Sequence, residues 1–417
     1  MDSKRILNWL RRPFAASQPA DGGTVINGPE DLERAIRAAG TSTAAGIPVT
    51  ANSAMRVGAV YACVRLMSGA VANMPLHVKE RVDELTRQDR PDHQLWTVLR
   101  RKPNGWQTSA QFRRLLQVHL LLRGNGFAQI VRSRGRVIAL NPLHPDRMKV
   151  KQGDDLRIRY TYTRRDGRPV PLDPNDVLHL VGLTLDGVTG VSVITYARET
   201  IGLSMAQERH GATTFKNAAR PSFVLKHPQK LGKEGLEFLR ESLDAYRQGG
   251  EAEGRALILE EGMETYQLSM TAEDAQWIES RKFSRSDIAM FFGVPPHMIG
   301  DTEKTTSWGS GVEQMGIGFV TYTLEDHLTT WEQTLDRDLI AEPEIYTRFN
   351  RRGLLRGDTK AREALYRSGL QWGWLSPNEV RALEDMNPRD GGEVYYPPPN
   401  TAGKTDMETD DDDQNPA

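Results

Sequence analysis

The chain has 417 residues, 38% of them apolar and 26% charged, with 54 Lys or Arg against 55 Asp or Glu for a net charge of −1. That length allows two or three domains with sizeable cores, and that balance argues against a dedicated nucleic-acid binder. A single cysteine, Cys63, excludes an internal disulfide framework, and no run approaches the ~18 apolar residues of a membrane span.

The neutral total conceals a lopsided distribution. From Ala51 to Val170 there are 23 Lys or Arg against 9 Asp or Glu, whereas from Glu251 to Asn350 there are 7 against 19. The stretch from Gly391 onward holds 1 basic and 7 acidic residues. Segments of such opposite sign face different partners or different surfaces.

In chain order, the N-terminus (MDSKRILNWLRRPFA) is basic but has no continuous apolar stretch, so it is no secretory signal. Residues 1–50 read as a flexible arm rich in Gly, Ala, Ser, Thr and Pro. A helix is expected from Ser53, because Val57, Val60, Tyr61, Val64, Met67 and Val71 recur at helical spacing before Pro75. Cys63 lies on that apolar face and reads as a buried small hydrophobe. Strand signals follow at PLHVKE. The stretch from His93 to Arg147 then carries a helix (Ala110–Leu122), a Gly124-Asn125-Gly126 turn and two strands, FAQIV and VIALN. Gly and Asn are expected to supply positive φ in these turns. Further strands are expected at RIRYTYT and VLHLVGL, with turns at Asp166-Gly167 and Asp173-Pro174, so residues 51–192 read as one α+β domain.

The character changes at Val193. A long helix is expected to Ala219, with Ile194, Ala197, Ile201, Met205, Ala212 and Phe215 as its stripe and Pro221 ending it. A small α/β insert spans residues 220–270, built from strand PSFVL, a helix, and strands RALIL and TYQLSM. A second long helix, within 271–295, carries Trp277, Ile278, Phe283, Ile288 and Phe291 on its apolar side, and Gly293 with Pro295-Pro296 closes it. Two long helices flanking an insert make a stalk with a knob. A polar Gly-rich loop (GDTEKTTSWGSG) leads into a third helix, Val312 to Ile340, with Met315, Phe319, Tyr322, Leu328, Trp331, Leu335 and Leu339 as its apolar positions. Strand IYTRFN returns to a sheet within the segment 296–354. A helical unit spans 355–390, with Ser376-Pro377-Asn378-Glu379 as an N-cap turn. Residues 391–417 read as a disordered acidic tail.

The chain carries few motifs of catalysis or ligand binding. Gly403-Lys404-Thr405 ends like a phosphate loop, but Pro398 occupies the place of its first glycine. Gly124-Asn125-Gly126 and Gly316-Ile317-Gly318 lack the third glycine of a dinucleotide loop. No zincin motif and no nucleophile elbow is present. The densest acidic and histidine cluster is Asp173, Asp176, His179 and Asp186, with His144 and Asp146 as further candidates. A metal-dependent DNA-processing enzyme using Asp173, Asp176 and His179 is the alternative reading, although the spacing suits turns and a strand end better. Trp308 stands apart, in a polar loop where no periodic core explains it. No cofactor and no metal is expected, and no membrane partner.

Several blocks together point to a family. VTANSAMRVGAVYACVRLMSGAVANMPLHV, PNGWQTSAQFRRLLQVHLLLRGNGFAQIV, NPLHPDRMKV, DGVTGVSVI, FSRSDIAMFFGVPPHMIG and LLRGD with WGWLSPNEVRALEDMNP occur in this order. They resemble the portal proteins of long-tailed double-stranded DNA bacteriophages, from about Val49 to Pro388.

The resemblance implies an α+β portal fold with an α/β wing, a long-helix stem hairpin, a small α/β clip and a helical crown. It implies a ring of twelve subunits at one capsid vertex, a structural assembly rather than an enzyme. Such a ring passes double-stranded DNA in packaging and ejection and nucleates procapsid assembly with the major capsid and scaffolding proteins. It docks the terminase large subunit and then a head–tail adaptor. The protein is then made in the host cytoplasm and resides in the virion. By the same resemblance, 51–192 and the strand near Ile345 are wing, 193–219 and 271–295 stem, 220–270 clip and 355–390 crown. The tunnel loop then places Glu303, Lys304, Thr305, Thr306, Ser307, Trp308, Gly309 and Ser310 toward the DNA.

Overall fold

A computed structural model of the chain describes residues 42–216, 223–226, 232, 237, 264–267, 283–301, 310–351, 359–384 and 386–397. The N-terminal arm through residue 41, most of 217–282, the loop 302–309 and the tail from 398 lie outside the described residues.

Thr50 opens the first helix, α1 (Ala51–Ala54), through a capping box: its hydroxyl accepts from Ser53 N while Ser53 Oγ accepts from Thr50 N. The single helix expected from Ser53 is in fact two. Arg56 N and Val57 N donate to Ser53 O and Ala54 O, three residues back, and this tightening ends α1 before α2 (Gly58–Asn73) begins. Val60, Cys63, Val64, Met67 and Val71 are buried as their spacing requires, but Tyr61 is exposed.

Strand β1 (Leu76–Arg81) pairs with the hairpin strand β2 (Arg87–Asp89) and, on its other side, with β11 (Ile345–Phe349), in register Leu76↔Phe349 to Glu80↔Ile345. Helix α3 (Gln94–Arg100) follows, capped by His93, whose Nδ1 accepts from Leu95 N. Helix α4 (Ser109–Arg123) ends at Gly124, in the left-handed region at φ +74°, and β3 (Asn125–Ser133) starts at once. Asn125 therefore lies in the strand rather than in a turn; its side chain is needed elsewhere. The β3–β4 turn has both Arg134 (φ +50°) and Gly135 (φ +77°) left-handed, the tight turn whose twist matches its strands, and β4 runs Arg136–Leu143.

Strands β5 (Met148–Gln152), β6 (Ile158–Thr163) and β7 (Pro169–Leu172) form a separate antiparallel sheet, and β8 (Val177–Val181) completes the order β4-β3-β8. The long helix α5 is described from Val193 to Lys216. Of the insert, β9 (Phe223–Lys226) and β10 (Glu264–Gln267) are described, paired antiparallel. Helix α6 is described over residues 283–291.

The third long helix is interrupted. It runs as α7 (Ser310–Gly318), a π-helical turn (Phe319–Leu324) and α8 (Glu325–Leu339). Phe319, Leu324, Leu328, Trp331, Leu335 and Leu339 are buried. The step of five from Phe319 to Leu324 fits no α-helical stripe, and the wider π turn absorbs the extra residue. Met315 and Tyr322, assigned to the buried stripe by spacing, are instead exposed, Tyr322 at 84%. Helices α9 (Thr359–Gln371) and α10 (Pro377–Leu383) close the described chain. The α10 cap is a reciprocal box in which Ser376 Oγ accepts from Glu379 N and Glu379 Oε2 accepts from Ser376 N.

The chain forms two compact units. The described residues up to Ser68, in Arg114–Ile130 and in Pro142–Trp331 make one; those in Gly69–Arg113, in Val131–Asn141 and from Glu332 onward make the other. The first unit has a helical core around Val60, Cys63, Met67, Ile194, Ile201 and Phe292. Its second core, of Phe127, Leu143, Tyr160 and Val177, sits under the β5-β6-β7 sheet. Among the described residues, no helix is long and apolar enough to cross a membrane.

Candidate functional site

The loop singled out by sequence, Glu303, Lys304, Thr305, Thr306, Ser307, Trp308 and Gly309, lies outside the described residues, and Ser310 is the first residue of α7. Its two shoulders are described and are fixed to one core. On the entering side, α6 ends at Gly293 (φ +65°), with Val294 N donating to Ala289 O at 2.9 Å. Thr323, in the π turn beyond the loop, donates its hydroxyl to Gly293 O at 2.7 Å. A Cβ on Gly293 would lie 2.8 Å from that hydroxyl oxygen, so backbone conformation and crowding both favour glycine here. A 3-10 turn (Pro296–Ile299) then runs to Gly300 at φ +86°, and Ser286 Oγ donates to Asp301 Oδ2 at 3.1 Å. On the leaving side Phe319 joins the same core as Ile288, Ala289, Phe292 and Val294.

The shoulders also present apolar surface to solvent. Met290 is 71% exposed, and Phe283, Phe291, Met315, Ile317 and Tyr322 are exposed as well. The spacing puts Phe283, Ile288 and Phe291 on the apolar side of α6, but only Ile288 is buried. Trp277 and Ile278 lie outside the described residues. These six large apolar side chains are left to solvent on the two shoulders.

Within the acidic and histidine cluster, His179, Asp173 and Asp186 hold structural contacts. His179 is buried on β8, with Nε2 2.9 Å from Asn125 Oδ1 and Nδ1 3.2 Å from Tyr160 OH, and it stacks on Phe127. Asn125 Oδ1 also accepts from Gly190 N at 2.9 Å. The network therefore assigns the His179 proton to Nε2, with Nδ1 accepting from the tyrosine. Both ring nitrogens are committed to the core. Asp173 caps a 3-10 turn, accepting from Asn175 N at 2.9 Å, and Asp176 N donates to Asp173 O within it. Burial pushes the Asp186 carboxyl up. The N–H groups of Thr189 and Val188 and the hydroxyls of Thr189 and Thr184 outweigh it and hold that carboxyl well below the usual range. His144 does not join this group but meets His119 edge-on at 5.2 Å, while Arg123 holds Asp146 in a fork at 2.7 and 2.9 Å. No group of three or more His, Cys, Asp or Glu among the described residues is placed to hold a metal. Burial pushes the Cys63 thiol up to about 12, which removes it as a nucleophile at neutral pH.

Three networks escaped the sequence reading. Asn125 locks the loop before α5 by donating to Gly190 O at 2.8 Å, and Ser192 Oγ reaches Leu122 O across the same joint. Only the Gly-Asn-Gly and DGVTG motifs hinted at this. In the second unit, buried Glu332 binds Arg348, Arg351 and Phe349 N at 2.9, 2.8 and 2.7 Å, fastening α8 to β11. Nothing local announces it. The third network, Trp331 with Gln117, joins α8 to α4.

With this geometry in hand, the sequence pattern described as phage portal protein matches residues 58–385. The portal protein of Enterobacteria phage HK97 is 34% identical over 368 residues, 87% of this chain and 86% of that protein. A probable portal protein of Streptomyces phage phiC31 is 34% identical over 397 residues, 92% of this chain and 86% of that one. Among solved structures, a chain from the neck of an empty GTA particle computed with C6 symmetry aligns with a TM-score of 0.60 at 25% identity, covering 82% of this chain and 95% of its own. One from the neck of a native GTA particle computed with C12 symmetry gives 0.58 at 25% identity, covering 85% and 100%.

Proposed function

We propose, since this chain belongs to the phage portal protein family, that it is one subunit of the ring-shaped channel at a single capsid vertex through which DNA is packaged and ejected. The observation that carries this is 34% identity to the HK97 portal protein over 87% of the chain. The protein is a structural component of a virion, at the junction of head and tail.

The finer assignment follows the same premise. Residues 51–192 with β11 form the wing, 193–219 and 271–295 the stem, 220–270 the clip and 355–390 the crown. Twelve copies close the ring, and the exposed Met290, Phe291, Met315 and Tyr322 support contacts between copies. Glu303, Lys304, Thr305, Thr306, Ser307, Trp308, Gly309 and Ser310 face the DNA. Lys304 is the one basic residue among them, and the segment Glu251–Asn350 around them is strongly acidic. An acidic wall repels the phosphates and keeps a sliding duplex from binding tightly. The ring nucleates procapsid assembly with the major capsid and scaffolding proteins, then docks the terminase large subunit and later a head–tail adaptor.

Negative-stain images of the purified protein should show rings of about twelvefold symmetry; a monodisperse monomer at micromolar concentration would sink the reading. Deleting Lys304–Ser310 should leave rings intact and impair packaging, genome retention or ejection. Normal behaviour in all three would remove the loop from the channel.

A further inference from the structure

The β5-β6-β7 sheet has two unlike faces. Inward, Met148, Val150, Ile158, Tyr160, Tyr162 and Leu172 pack on the core. Outward, the register sets Lys149 opposite Thr161, Lys151 opposite Arg159, Thr161 opposite Pro171 and Thr163 opposite Pro169. The outward face is thus lysine, arginine, threonine and proline, with no large apolar side chain. Between Arg147 and Arg168 the chain carries eight Lys or Arg against three Asp. Ion pairs join Arg159 to Asp155 at 2.8 Å and Arg168 to Asp166 at 4.0 Å. Lys149, Lys151, Arg157, Arg164 and Arg165 make no ion pair among the described residues. At one end of the sheet a shallow cavity of about 490 Å³ is lined by Arg147, Tyr162, Arg164, Arg165 and Asp166.

Lys151 directly opposite Arg159 is a like-charge cross-strand pair, which costs stability. The ion pair with Asp155 offsets part of this cost for Arg159 but leaves Lys151 facing it, and a local rule strained on an exposed face points to a function. Pro169 and Pro171 on the β7 edge remove two donors, so the face and not that edge is the binding element. We infer that this outward face is a second, sequence-independent contact for the phosphate backbone of duplex DNA, apart from the channel. Lys149 and Lys151 project from one strand ~7 Å apart, close to the separation of neighbouring phosphates on a DNA strand. A protein partner would want an apolar centre, which the face lacks. Single-stranded DNA would want stacking platforms, and Tyr160 and Tyr162 point the other way. The inference rests on the portal reading only in making duplex DNA a neighbour of this surface.

The test uses assembled full-length rings and a random-sequence duplex of roughly 20 base pairs, with binding measured by anisotropy as salt is raised. A variant carrying Lys149→Gln, Lys151→Gln, Arg164→Gln and Arg165→Gln should lower the slope of log affinity against log salt by up to about 3.6, or ~0.9 per lost phosphate contact. A control carrying Arg132→Gln, Arg134→Gln and Arg136→Gln should leave the slope unchanged. An unchanged slope in the fourfold variant, or an equal fall in both sets, overturns the inference. So does wild-type DNA binding combined with failure to enter procapsids, which would make the face a protein dock. If the fourfold variant does not form rings, the Lys149→Gln, Lys151→Gln pair serves, with about half the change expected and no change overturning it. Absence of rings in the wild type would strike the portal reading, not this one.

Discussion

Trp331 in α8 donates its indole N–H to Oε1 of Gln117 in α4 at 2.8 Å, with both side chains buried. Gln117 Nε2 has no hydrogen-bond partner among the described residues. The glutamine is thus already short of one hydrogen bond and depends on Trp331 for its acceptor. Trp331→Phe should cost ~2–3 kcal/mol, from an unsatisfied buried amide plus lost volume. Adding Gln117→Leu should return ~1 kcal/mol, because the orphaned amide goes with it. Urea unfolding followed by circular dichroism measures both, and a single-variant loss below ~0.5 kcal/mol would show that the pair holds nothing.

Gly124 and Gly190 touch backbone to backbone: a Cβ built on Gly190 would run into Gly124 O, a backbone atom that cannot swing aside. Gly190→Ala should therefore give little folded protein. Asn125→Ala removes the hydrogen bonds to Gly190 N, Gly190 O and His179 at once and should cost ~2–4 kcal/mol, read as a lower melting temperature. A Gly190→Ala protein melting like the wild type would mean that this joint is looser than described.

Glu332 is 4% exposed, whereas its partner Arg348 is 53% exposed. Glu332→Ala should cost ~2–4 kcal/mol, less than for a fully buried pair because Arg348 can turn to water. Glu332→Gln keeps an acceptor for Phe349 N and should lose about half as much. Hydrogen exchange should quicken at residues 345–349 in both variants; acceleration elsewhere but not in β11 would refute the link between Glu332 and that strand.

His119 is buried, and burial first, then the charges of His144 and Arg123, lower its pKa to about 4, with Asp146 opposing. An unfolded histidine titrates near ~6.5. The unfolded chain therefore takes up this proton before the folded one. Stability is fully present above pH ~6.5 and falls as pH drops toward 4, by at most ~3 kcal/mol from this group. Urea unfolding at pH 7.5 and 5.0 should show the loss, and His119→Phe should flatten it. An equal loss in the variant would assign the effect to other groups.

Much of the secondary structure was legible because it is local. Ser376 with Glu379, and the apolar spacing of Val60, Val64, Met67 and Val71, each specify their element within one or two turns. Strand β2 and helix α3 were not legible, since three charged or polar residues and a seven-residue helix leave too short a period to read. Strands β5 and β7 were missed for the same reason: MKVKQ and PVPL alternate only once or twice. The Asp173, Asp176 and His179 grouping looked like chemistry because one dimension cannot show what each side chain already holds; Asn125 and Tyr160 occupy both nitrogens of His179.

The sequence by itself determined where chain direction and hydrophobic period change, which glycines close helices, and the family, because six blocks in order constrain far more than any one motif. Tertiary structure alone decided which faces those periods bury. The π turn at Phe319–Leu324 rotates the stripe, so Tyr322 goes to solvent while Leu324 enters the core. It also decided that β11 returns to β1 and that Glu332 secures it there. Propensity acts over a turn or a strand, whereas burial and hydrogen-bond satisfaction act between residues hundreds of positions apart, and only the folded chain brings those together.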